Sequence, residues 1–217
     1  ITASLALAAA AKPAADPPWK VADAHGPTHS VAFTTDEATW LALDVDPSGT
    51  KIVFSLLGDL YLLPSTGGAA TRITSGPAYD AQPRFSPDGK WIAFASDRGG
   101  IENLWVCDLS GENARAISTE KDNTVNGPAW SKDGEYLVGR KRLTDGSSLG
   151  TVELWMWHVK GGSGVQLTKK DEQPDAADPA FSKDGRFLYF SARDARYRYD
   201  RNVNDGIWQI KRLDRWN

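Results

Sequence analysis

The sequence predicts an all-β protein built from repeated four-stranded sheets set radially as the blades of a propeller, and three observations carry that expectation. A turn phrase recurs four times: Val45-Asp46-Pro47-Ser48-Gly49, Phe85-Ser86-Pro87-Asp88-Gly89, Trp130-Ser131-Lys132-Asp133-Gly134 and Phe181-Ser182-Lys183-Asp184-Gly185. Its glycines lie 40, 45 and 51 residues apart, the period of a four-stranded blade. After each phrase come short runs rich in β-branched and aromatic residues, bounded by polar turns.

The phrase itself is a chain reversal. Pro87 presets φ at the first central position, Asp88 bonds back to the backbone and Gly89 accepts a positive φ, so each copy joins two strands as a hairpin turn. Second strands are expected at Lys51-Ile52-Val53-Phe54, Trp91-Ile92-Ala93-Phe94, Tyr136-Leu137-Val138 and Phe187-Leu188-Tyr189-Phe190. Third strands, each with a central aromatic residue, are expected around Tyr61, Trp105, Trp155 and Trp208. Gly-containing turns such as Ser65-Thr66-Gly67-Gly68 then lead to short outer strands, among them Ala70 to Thr74 and Val165 to Thr168. The blades are placed near 40–76, 81–119, 126–169 and 177–217, the last incomplete. A lone strand, Ser30 to Thr34, would supply the missing outer strand if four blades closed a ring.

Composition narrows the class without naming a chemistry. Hydrophobic residues at 41% and charged residues at 24% are ordinary globular values, and a net charge of −3 gives no reason to expect nucleic acid. Cys107 is alone, so an intrachain disulfide, a CxxC pair and a cysteine zinc site are excluded, and a small buried strand residue is expected. Residues 1–11, ITASLALAAAA, read as the end of a signal peptide, too short to span a bilayer. Residues 12–39 read as a linker and an N-terminal strand before propeller repeats at 40–217, and the location expected is periplasmic or secreted.

Catalytic constellations are absent from the sequence pattern. His25 and His29 are four apart, but Gly26 and Pro27 break the helix a zinc pair would need, and His158 has no ligand set in sequence. There is no H-x-H pair and no G-x-S-x-G elbow. Asp88, Asp133 and Asp184 recur with the turn, which marks structure rather than one active site.

The run F-S-P-D-G-K-W-I-A-F-A-S-D-R at 85–98, with the later Asn103-Leu104-Trp105-Val106-Cys107-Asp108, resembles the PD40, or WD40-like, repeats of TolB-like β-propellers over roughly residues 40–214. Residues 40–100 are also similar to the propeller of exported proteins in which such repeats precede a metal-dependent amidohydrolase domain. The resemblance implies a six-bladed ring, so that the four repeats here are part of it. It implies a non-catalytic binding or scaffold module, with no cofactor in this chain and any metal in a downstream domain. A stand-alone TolB-like interaction module and the propeller of a prolyl-oligopeptidase-like serine peptidase are the alternatives.

Specificity is expected in the loops joining second and third strands, because these differ between repeats while the turns do not. They place Arg98, Arg140, Arg142, Arg193, Arg196, Tyr197, Arg198 and Tyr199 on one rim, opposite the turn phrases. Arg interleaved with Tyr suits carboxylates and aromatic stacking, so the expected partner is an envelope protein, a peptide or a small anionic ligand. The bland reading is a solvated loop whose charges pair with one another.

Overall fold

The structure is a computed structural model that describes residues 20–21, 26–29, 31–39, 41–143, 151–169, 171–193 and 208–214. It contains four antiparallel sheets in chain order. The first blade holds β1 (Leu43–Val45), β2 (Lys51–Leu56), β3 (Asp59–Pro64) and β4 (Thr71–Arg72). The second holds β5 (Asp80–Phe85), β6 (Trp91–Ser96), β7 (Asn103–Asp108) and β8 (Arg115–Ala116). The third holds β9 (Thr124–Trp130), β10 (Tyr136–Leu143), β11 (Thr151–His158) and β12 (Val165–Gln166). The fourth holds β13 (Ala177–Phe181), β14 (Phe187–Arg193) and β15 (Trp208–Asp214). Within each blade the strands pair in simple succession, inner to outer, so the chain folds as a row of propeller blades.

The turn phrases form as their chemistry dictates. Ser86 Oγ donates to Asp88 Oδ1 at 2.5 Å and accepts from the Trp91 amide at 2.9 Å, while the Lys90 amide donates to Asp88 Oδ1 at 3.1 Å. The same hydroxyl-to-carboxylate bond, again 2.5 Å, joins Ser131 to Asp133 and Ser182 to Asp184. Blade one swaps the two groups: Asp46 Oδ1 accepts from the Thr50 and Lys51 amides at 2.7 and 2.6 Å, and Ser48 Oγ donates to Asp46 Oδ2. Gly89 at φ +68° closes its turn, with its amide donating to the Ser86 carbonyl at 2.8 Å.

These bonds favour ionised carboxylates. The Ser48 hydroxyl, helped by three backbone amides, draws Asp46 from 3.8 down to about 2, and the Ser86 and Ser182 hydroxyls likewise lower Asp88 and Asp184. A group whose folded pKa is depressed contributes stability above its unfolded value and loses it as pH falls through the folded one. Urea midpoints are therefore expected to fall between about pH 4 and pH 2. In a Ser48→Ala, Ser86→Ala, Ser182→Ala variant that dependence should flatten. Asp59 and Glu102, which burial raises, act in the opposite sense at higher pH and leave that window to the turns.

The cores lie between blades, not within them. A sheet has two faces, and the middle strands of an inner blade are covered on both, which is why β6 reads Trp-Ile-Ala-Phe-Ala-Ser without polar alternation and Ile92 to Ser96 are all buried. Ile92, Phe94 and Cys107 face Val53 and Leu60 of blade one, while Ala93, Leu104 and Val106 face Val125, Leu137 and Trp157 of blade three. Val138 and Leu154 then meet Leu188 and Phe190 of blade four. Cys107 is a buried free thiol, pushed up to about 12 by desolvation.

Three sequence expectations change. Val31 and Phe33 are exposed and residues 31–35 form no strand, so the segment buries no apolar face that would hold it extended. Among the described residues the first and fourth blades do not pack together, so a closed four-bladed ring is not formed, and Leu43 and Ile210 lie exposed on the two free flanks. Trp208 opens β15 rather than centring it: Lys211 opposite Phe190 holds the place that Trp105 has opposite Phe94 and Trp155 has opposite Gly139.

Candidate functional site

Antiparallel pairing puts the β2–β3, β6–β7, β10–β11 and β14–β15 connections at one end of the blades and the turn phrases at the other. On the first of these rims the cations are largely engaged. Arg98 donates through Nη2 to Asp80 Oδ2 at 2.5 Å and through Nε to Ser96 Oγ at 3.0 Å, and its guanidinium lies 5.1 Å from the Phe94 ring centre and 5.3 Å from that of Trp105. The Asp80 side chain is 1% exposed and that of Arg98 22%, so a buried carboxylate is covered by a partly exposed guanidinium. Lys141, which the sequence reading passed over, donates to Glu120 Oε1 at 2.8 Å and sits 4.1 Å above the Trp155 ring. Arg193 lies 3.4 Å from Asp175 Oδ2 and 5.4 Å from the Trp208 ring centre.

Three consecutive blades thus clamp a cation between a carboxylate and a third-strand tryptophan, although the cation occupies a different strand position each time. Arg140 pairs with Asn126 and Leu154 across its sheet and lies near the half-buried Glu102, whose carboxylate accepts from Asn126 Nδ2 at 2.9 Å. Arg142 is exposed. Arg196, Tyr197, Arg198 and Tyr199 lie outside the described residues, as does His25. His29 is exposed, and His158 accepts from the Lys160 amide at 3.0 Å while meeting the Tyr136 ring edge-on at 5.1 Å.

The opposite end opens on a cavity of about 310 Å3 where the four inner strands converge. Its wall is proline-rich, with Pro47, Pro87, Pro128 and Pro179 beside Phe85 and Phe181, and Asp44, Arg84 and Ser86 add polar groups. A recurrent irregularity builds it. Gln82, Gly127 and Asp178 each stand before a proline with φ of 54°, 62° and 54°, and the ladder slips by one residue at each place. Such a bulge bends an inner strand, and proline there removes no ladder bond. Polar bonds then tie neighbouring blades at the cavity: Phe85 N donates to Asp44 Oδ2 at 2.8 Å, Gly127 N to Gln82 Oε1 at 2.7 Å and Trp130 Nε1 to the Arg84 carbonyl at 3.0 Å. The signal was in the sequence, since Pro83, Pro128 and Pro179 each stand three residues before the turn serine.

Comparison with known proteins places this geometry. Among solved structures, the putative TolB from Agrobacterium tumefaciens superposes with a TM-score of 0.64 at 20% identity, over 80% of this chain and 57% of that one. A puromycin-hydrolyzing peptidase of Mycobacterium tuberculosis superposes with a TM-score of 0.58 at 14% identity, over 82% of this chain and 27% of that one. In sequence, the uncharacterized peptidase YuxL of Bacillus subtilis is 28% identical over 206 residues, covering 74% of this chain and 31% of that protein. Dipeptidyl-peptidase 5 of Porphyromonas gingivalis is 32% identical over 139 residues, covering 60% of this chain and 19% of that protein. The chain therefore spans less than a third of the curated relatives it matches. The family profile of the Tricorn protease N-terminal β-propeller domain matches residues 40–152, more than half of the chain, and the chain belongs to that family.

Proposed function

We propose that the chain is the non-catalytic binding propeller of a larger exported hydrolase of the metal-dependent amidohydrolase type, working in the periplasm. The observation that carries the non-catalytic part is the use made of its reactive side chains. The turn serines are bonded to aspartates and backbone amides, and Arg98, Lys141 and Arg193 are held in ion pairs. The described residues gather no set of three His, Cys, Asp or Glu that could hold a metal, so they do not fit a hydrolytic metal centre, which would belong to another domain. The amidohydrolase part rests on the resemblance of residues 40–100.

A second reading is favoured by the names of the relatives. YuxL and dipeptidyl-peptidase 5 are called peptidases, and both are far longer than this chain, which supports a propeller that admits peptides to a serine-peptidase domain. In either reading the partner is a peptide, an envelope protein or a small anionic ligand, and rim contact through Arg142 and the 194–201 loop belongs to the proposal.

The full-length gene product decides between the two. Activity abolished by a chelator and restored by added zinc, with no labelling by a fluorophosphonate, is expected of the amidohydrolase type. Fluorophosphonate labelling with chelator-resistant activity establishes the peptidase instead. Hydrolysis by residues 12–217 alone would overturn both.

A further inference from the structure

A second cavity, of about 340 Å3, opens on the turn face between blades two and three, within the range of small-ligand sites. Trp91 and Trp130 contribute aromatic surface to it, and Arg115 and Lys132 contribute charge. The Arg115 guanidinium stacks 5.7 Å from the Trp91 ring centre and donates through Nη1 to the Val159 carbonyl of blade three. Those two contacts fix its direction and leave its remaining donors available. Among the described residues neither Arg115 nor Lys132 has a carboxylate within ion-pair distance, whereas Arg98, Lys141 and Arg193 on the opposite rim do. The acids on the same wall belong to their turns: Asp88 accepts from Ser86 and Lys90, and Asp133 from Ser131 and Glu135.

A cation held by stacking beside tryptophan faces recognises a carboxylate attached to an apolar or flat group. The shape of the site chooses among such carboxylates. The cavity shares Ser86, Pro87 and Trp130 with the cavity at the inner-strand mouth, so the two adjoin at those residues, inward of Arg115. The mouth presents four prolines, Phe85 and Phe181 beside Asp44, Arg84 and Ser86, and against its apolar part the hydroxyls of a sugar acid would lose their partners, while the apolar side chains of a peptide would be buried with gain.

We propose that these adjoining cavities bind the free C-terminus of an extended peptide with apolar or aromatic final residues, the terminal carboxylate on Arg115 and Lys132 and the preceding side chains over Trp130 toward the mouth. The site lies opposite the cation-bearing rim and does not depend on which hydrolase, if any, the propeller serves.

The test uses the full chain and fluorescein-labelled Ala-Ala-Phe, with either a free carboxylate or a C-terminal amide, followed by anisotropy. The acid is expected to bind at least about tenfold more tightly than the amide, with the difference shrinking as salt rises. Arg115→Gln should bring the acid down to the level of the amide without changing the amide. Lys132→Gln, which leaves the Arg115–Val159 bond intact, should weaken the acid alone and keeps the test decisive if the first variant folds poorly. Equal binding of acid and amide, binding of neither, or displacement of the peptide by glucuronate at lower concentration than by unlabelled Ala-Ala-Phe would each overturn the proposal.

Discussion

Replacing Gly111 by alanine is expected to destabilise the protein by more than about 3 kcal/mol, the upper range for backbone strain and overpacking together. Gly111 sits in the turn between β7 and β8 at φ +83°, and a Cβ built there falls 1.7 Å from the carbonyl oxygen of Ile73 in blade one. That oxygen cannot simply move aside. Ile73 is part of the core between blades one and two, and its amide donates to the Leu60 carbonyl at 2.8 Å, so relief would have to separate the two blades. Gly49 is the control: its φ is +73°, but nothing lies within 4 Å of its Cβ position, and alanine there should cost only about 1 kcal/mol from the left-handed backbone. Urea unfolding of the two variants separates strain from collision. Equal losses would show that the blade contact yields freely and is no part of the close packing.

What could be read in advance divides along the same line between local and inter-blade chemistry. The turn phrase is local, its serine, acid and glycine act on each other within five residues, and so Ser86, Asp88 and Gly89 announce their bonds in sequence. Strand positions followed for the same reason. The clamps were not legible, because Asp80 and Arg98 are 18 residues apart and Lys141 and Glu120 are 21 apart, joined only when the connection from the preceding outer strand lies beside the rim. A run such as Arg140-Lys141-Arg142 looks like a solvated stripe, yet strand alternation buries Lys141 and leaves Arg142 exposed. The proline bulges were visible and went unread, since proline ordinarily argues against a strand and only the ladder shows that an inner strand accommodates it. Trp208 misled for a different reason: the aromatic at the expected spacing falls at the start of β15, opposite Arg193.

The Arg98 clamp carries the other large expected effect. Arg98→Ala should cost about 3–5 kcal/mol at neutral pH, the range for breaking a buried pair from one side. The loss comes from the group left behind. Asp80 Oδ1 is buried without a hydrogen-bond partner, so Arg98 on Oδ2 is what compensates the carboxylate, and Asp59 nearby, whose burial is offset first by Arg72, draws on that charge to a smaller degree. With the guanidinium gone, Asp59, which burial already raises, loses part of its offsetting charge, and a group whose folded pKa is raised gives back stability as pH falls. The defect should therefore shrink on acidification, and Asp80→Asn in the Arg98→Ala background should recover most of it, because an amide leaves no charge behind. Arg142→Ala, at an exposed position, should leave the melting temperature within the range of ordinary surface changes. A melting temperature unchanged by Arg98→Ala, or a double variant no more stable than the single one, would show that Arg98 is a free rim cation after all and return it to the set of residues available to a partner.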